Sequence, residues 1–142
     1  MKKYVRLMAL MLLLIMSLSG IAGAAHEEEF TPYSNAYINS MTGALSKSGD
    51  TLYVTFTVQG TRSMTSIGAS CIKIYTSGGT LVKTFWSAYN PSMLGSNQYT
   101  YTSTLSYDDG VDGTTYYAVI TGYESYGGGS GTETYTNASL TL

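Results

Sequence analysis

Between Thr51 and Val58 the chain alternates without a fault: Leu52, Val54, Phe56 and Val58 take one parity, Thr51, Tyr53, Thr55 and Thr57 the other. A period of two over this length predicts a half-buried β-strand with one face in a core and one in solvent. Similar runs follow. Residues 69–75 set Ile72 and Ile74 on the inner parity and Cys71 with Lys73 and Tyr75 on the outer, and a strand is expected over 80–86 ending on Trp86. Over 98–105, Tyr99, Tyr101, Ser103 and Leu105 alternate with threonines, the inner parity being that of Leu105 and the tyrosines. The stretch 111–123 joins a polar turn (Asp112, Gly113) to one strand length of β-branched and aromatic residues ahead of Gly122. A strand within 35–45 carries Ala36, Ile38 and Met41, and one over 132–142 carries Ala138, Leu140 and Leu142 on one parity.

Breaks between these runs are turn-like. Ser46–Asp50, Thr76–Gly79 and 106–113 are rich in Gly, Ser and Asp, whose backbones and side chains suit turns. Residues 59–67 and 87–97 are expected as loops, with Met64 and Ile67 plugging one end of the core. Gly, Ser and Tyr over 123–131 predict a mobile hairpin loop between the last two strands. No 3.6-residue period follows the N-terminal segment. About seven short strands with regular turns predict an all-β fold, an antiparallel β-sandwich first and a small β-barrel as the alternative.

The N-terminus changes the compartment. Lys2, Lys3 and Arg6 precede an apolar run, of twelve residues if taken from Leu7 to Leu18, and small residues through Ala25. This is the pattern of a secretory signal peptide over 1–24, cleaved after Ala24 or Ala25, and the run is shorter than the roughly 20 residues that span a bilayer. Residues 25–34, including His26-Glu27-Glu28-Glu29-Phe30, are expected as a flexible acidic leader and 35–142 as the β domain. Cleavage after Ala24 leaves 118 residues, enough for one core, with four basic residues against nine acidic ones and a formal charge of −5 in place of −2. So few cations argue against nucleic acid and against a membrane surface as partners. The lone cysteine, Cys71, cannot form an internal disulfide, so core packing must hold the fold, and a monomer is expected.

Candidate chemistry is sparse. His26, the only histidine, lies in the leader, so a Ser-His-Asp or Cys-His arrangement has no base on the domain. Neither HEEEF nor the carboxylates Asp108, Asp109 and Asp112 match a metal-binding spacing, and a solvated acidic turn is the expected reading of the latter. No cofactor, metal or catalytic residue is assigned and no enzyme is expected. Thirteen of the fourteen tyrosines lie beyond the signal segment. Tyr123, Glu124 and Tyr126 flank the Gly/Ser loop, a mix suited to loop-based recognition because Tyr contributes area and a hydroxyl at low entropy cost. The bland alternative is that Tyr and Thr serve β-propensity and solubility alone. The expected function is therefore a secreted interaction module for a carbohydrate or cell-surface protein, with a structural cell-envelope domain as the alternative. Trp86, the single tryptophan, is expected to cap the core, the other reading being an outward contact for sugar or protein. Asn137-Ala138-Ser139 fits a glycosylation sequon but falls in a predicted strand.

Two resemblances add to this. Leu52-x-Val54-x-Phe56 and Val111-Asp112-Gly113-Thr114-Thr115-Tyr116-Tyr117-Ala118-Val119 resemble a strand and the tyrosine corner of fibronectin type III and immunoglobulin-like sandwiches, with Val for Leu, Gly for Pro and Phe for Trp. That resemblance implies Tyr117 as the corner tyrosine, its hydroxyl bonded to upstream backbone. The strands around it then assign Tyr117, Val119 and Thr121 inward and Tyr116, Ala118 and Ile120 to the opposite face. The signal peptide, the Thr/Tyr/Gly-rich strands, and Met64–Ala69 followed by Ile72–Tyr75 resemble small exported proteins of unknown function from Gram-positive bacteria of the clostridial type. This second resemblance implies no activity.

Overall fold

The computed structural model describes residues 29–31 and 37–142, with side chains from Tyr37 onward. The expected signal peptide and most of the leader lie outside the described residues. Among the described residues eight strands form one antiparallel sheet: β1 (Glu29–Thr31), β2 (Ile38–Ser48), β3 (Thr51–Thr76), β4 (Leu81–Trp86), β5 (Leu94–Tyr107), β6 (Thr115–Tyr126), β7 (Gly129–Thr136) and β8 (Leu140–Thr141). The sheet curls into a half-barrel, an all-β arrangement compatible with a β-sandwich.

The curl follows from β3, which runs 26 residues and belongs to both halves. Its first part pairs with β2 (Met41↔Val58 to Ser48↔Thr51) and with the end of β5 (Leu52↔Tyr107 to Gln59↔Thr100). Its second part pairs with β6 (Ser66↔Ser125 to Thr76↔Tyr116), with β4 and with the start of β5. The register against β5 jumps between Gln59 and Met64, so the 59–67 segment expected as a loop is a bent continuation of strand. Its Gly, Arg and Ser composition describes the bend and hides the continuity. Met64 and Ile67 are fully buried, as expected of an end plug. Likewise β5 begins at Leu94, inside the expected 87–97 loop.

The core lies between the halves. Leu52, Val54, Phe56 and Val58 are fully buried, and from the other half Ile67, Ile72, Ile74, Ala118 and Ile120 meet them. At roughly 1.5–3 kcal/mol for each large apolar side chain withdrawn from water, this core must hold the chain without a disulfide. Outside, Thr55 and Thr104 share a hydroxyl hydrogen bond of 2.8 Å and Thr57 and Thr102 one of 2.7 Å.

Strand β6 departs from its expected parity by one residue. Tyr116, Ala118 and Ile120 face the core, while Tyr117 lies on the outer side, where its ring stacks on Tyr75 at 5.3 Å and 14°. The hydrogen bond to upstream backbone belongs to Tyr116: the Val111 N–H donates to its hydroxyl at 3.0 Å. Burial of Ile120 outweighs the motif match that points to Tyr117, because a fully exposed isoleucine forfeits more free energy than one tyrosine hydroxyl bond returns. Strand β7 presents Glu133 and Tyr135 inward, and Asn137 just beyond it is also buried. The sequon asparagine therefore sits inside the fold. Asn137 fits because Gly43 faces it: a Cβ there would strike the Asn137 Oδ1. Part of the expected leader, Glu29–Thr31, is strand, paired with β7 along its outer edge.

Candidate functional site

The β6–β7 connection is tight. Strands end at Tyr126 and resume at Gly129, so the turn residues are Gly127 and Gly128, with φ of 60° and 85°. Two successive positive φ angles are what a two-residue primed turn requires, and glycine adopts them without Cβ strain. The glycines that read as a mobile loop thus build a short hairpin with paired flanks, Tyr126↔Gly129 and Ser125↔Ser130.

Alternation along β6 separates the residues expected to act together. Glu124 is fully buried on the inner parity with Ile120. Tyr123 lies on the outer parity, half-buried, and Tyr126 is exposed at the hairpin tip. Tyr123 and Tyr126 do line one shallow depression of about 270 Å³, with Thr65, Ser125 and Gly128–Ser130; Glu124 takes no part in it. The Arg62 guanidinium lies over Tyr126 at 5.0 Å and over Tyr37 at 5.3 Å, and the two rings are 6.0 Å apart. This aromatic–cation contact ties the β3 bend to the hairpin at roughly 0.5–1 kcal/mol for each exposed cation–π pair.

Inside the same end, Glu133 is paired with Gly122 across the strands, so it sits diagonally from Glu124 on the inner face. Burial pushes the Glu133 carboxyl above its ordinary range, and its Oε2 has no hydrogen-bond partner. Both carboxylates are buried, Glu124 fully and Glu133 nearly so. Asp108, Asp109 and Asp112 are all exposed, and among the described residues no three acidic, histidine or cysteine side chains are gathered as a metal site. Cys71 is buried on the outer parity, and its thiol is raised by burial, partly offset by Lys73.

One place the sequence ranked second stands out. Trp86 is 49 % exposed rather than a core cap, and Tyr89, three residues on, is 83 % exposed. Pairing explains the direction: Phe85 opposes the inward Ile72, so Trp86, opposite Cys71, must point out. The alternation Phe85-Trp86 against Ile72 was available in the sequence, but only once the register was known. Comparison of the chain with protein-family models, with curated proteins and with solved structures finds no match in any of the three.

Proposed function

We propose that this chain is a secreted, non-enzymatic β-sandwich domain that binds a carbohydrate or a cell-surface protein through the β6–β7 hairpin. The observation that carries the reading is the depression in which Tyr123 and Tyr126 flank hydroxyl-bearing Ser125, Ser130 and Thr65. Aromatic faces beside hydroxyls and free main chain are the chemistry of adaptable recognition surfaces. The inward turn of Glu124 and Glu133 supports the non-enzymatic part, since paired carboxylates act on substrate only across a solvent-reached cleft. Export rests on the 1–24 segment, and a Gram-positive envelope as the setting rests on resemblance. The Tyr116 bond to Val111 supports kinship with immunoglobulin-like sandwiches, one residue out of the expected frame.

A structural envelope domain without ligand is the second reading, favoured by the outer face of β3 and β5, where threonine hydroxyls satisfy one another. Pull-down from cell-wall fractions and a glycan array, run with the parent and with Tyr123→Ala and Tyr126→Ala, separates the two. Binding that falls in both variants supports the hairpin; binding unchanged in both, or none at all, supports the structural reading.

A further inference from the structure

We propose that the concavity beside Trp86 and Tyr89 is a second binding site and that its ligand is an uncharged pyranose unit of a glycan chain. The site has a volume of about 430 Å³ and is lined by Ser70, Trp86, Ser87, Ala88 and Tyr89. That volume falls within the roughly 300–1,000 Å³ of small-molecule sites. No side chain of the lining carries a charge. Two aromatic rings, the Ser87 hydroxyl and the acceptor side of the Ser70 hydroxyl offer what a neutral sugar needs: π faces for its weakly positive C–H face, and polar atoms for its hydroxyls.

The platform is held in shape before any ligand arrives. The Trp86 carbonyl accepts from the Tyr89 N–H at 3.0 Å, the Asn90 N–H at 3.0 Å and the Asn90 Nδ2 at 2.9 Å. The Ser87 N–H donates to the Ser70 carbonyl at 3.0 Å, and the Ser70 hydroxyl donates to the Thr121 carbonyl at 3.3 Å. The turn carrying both rings is therefore fastened to β3, and through Ser70 to β6, so little ordering cost remains for binding. Two exposed, charge-free rings on a fastened backbone fit a sugar better than a peptide, which brings main-chain groups that need paired partners.

This proposal stands without the hairpin reading, although the register connects the two places. Trp86 opposes Cys71, Cys71 opposes Thr121, and Tyr123 lies two residues further on the same face. Two strand spacings and two residues of rise put the Trp86 and Tyr123 Cα atoms about 12 Å apart, the reach of a short oligosaccharide.

Trp86 is the only tryptophan, so its fluorescence reports on this site alone. Cellohexaose, xylohexaose, mannohexaose and chitohexaose would be titrated against iodide quenching of Trp86 in the parent, in Tyr89→Ala and in Tyr123→Ala. Tyr89 is exposed and makes no core contact, so its removal leaves the fold intact. The expected result is saturable shielding of Trp86 by at least one hexasaccharide, weakened about tenfold or more in Tyr89→Ala, as loss of one stacking ring implies, and retained in Tyr123→Ala. Shielding by none of these sugars, equal shielding in Tyr89→Ala, or shielding lost in Tyr123→Ala alone would overturn the proposal. Retained shielding together with loss of cell-wall binding in Tyr123→Ala shows two sites. Retained shielding with cell-wall binding unchanged in both hairpin variants removes the hairpin reading and leaves this one.

Discussion

Removing one oxygen atom from Tyr116 tests the assignment of β6. Tyr116 is 2 % exposed, its ring meets Tyr107 edge-on at 6.1 Å, and its hydroxyl takes the Val111 N–H at 3.0 Å. Tyr116→Phe keeps the ring and its neighbours, so no cavity forms and the loss is confined to the hydrogen bond. A net intramolecular hydrogen bond is worth about 1 kcal/mol, and an unpaired buried donor would add to that. The Val111 side chain is largely exposed, so water can reach the freed N–H and no burial penalty is added. The expected cost is therefore about 1 kcal/mol, roughly 4 °C in melting temperature for a domain of this size. Urea unfolding followed by far-UV circular dichroism gives the value, with an unchanged slope showing that the unfolded state is not the cause. A Tyr116→Phe variant within ~0.5 kcal/mol of the parent, as for an ordinary surface substitution, would refute the reasoning.

Two further outcomes concern buried titratable groups. Burial raises the Glu133 carboxyl above its ordinary value of 4.5, so the folded chain binds this proton more tightly than the unfolded one. Its contribution is then fully present below that ordinary value and is lost as pH rises through the raised one. Glu133→Gln should flatten that decline and melt above the parent at neutral pH; parallel pH profiles would contradict it. The Cys71 thiol, buried and raised, should react with a disulfide reagent on the order of 100-fold more slowly in native protein than in denaturant. Labelling at equal rates in both would place it at the surface.

How much of this was legible depends on how many residues voted. In 51–58 four apolar positions agree, and the structure buries all four. Ile72 and Ile74 placed the second part of β3 in the same way. In β6 the sequence offered apolar or aromatic residues at both parities, and a degenerate corner motif tipped the choice to Tyr117; only pairing with Ile72 and Tyr135 fixes Ile120 inward. The 59–67 bend was hidden because strand continuity there is set by β5 and β6, which are distant in sequence. The hairpin glycines were misjudged for a related reason, since positive φ serves a tight turn as well as a slack one. At the candidate site, composition singled out Tyr123 and Tyr126, which line one depression, whereas Glu124 was placed with them by proximity in sequence, which alternation undoes. Trp86 needed the register before its outward direction could be seen.

Strand β3 has a consequence for the order in which the molecule can be made. Its first part finds its β5 partner only once residue 107 exists, and its second part needs β6, beyond residue 115. Leu142 then closes the end, its N–H donating to the Thr114 carbonyl and its carbonyl accepting from the Gly113 N–H. A nascent chain that has just finished β3 holds a long strand with most of its partners unmade, and distant pairings of this kind close slowly. The local β2–β3 and β3–β4 hairpins can form early, but the core between the two halves cannot close until β5 and β6 have joined them.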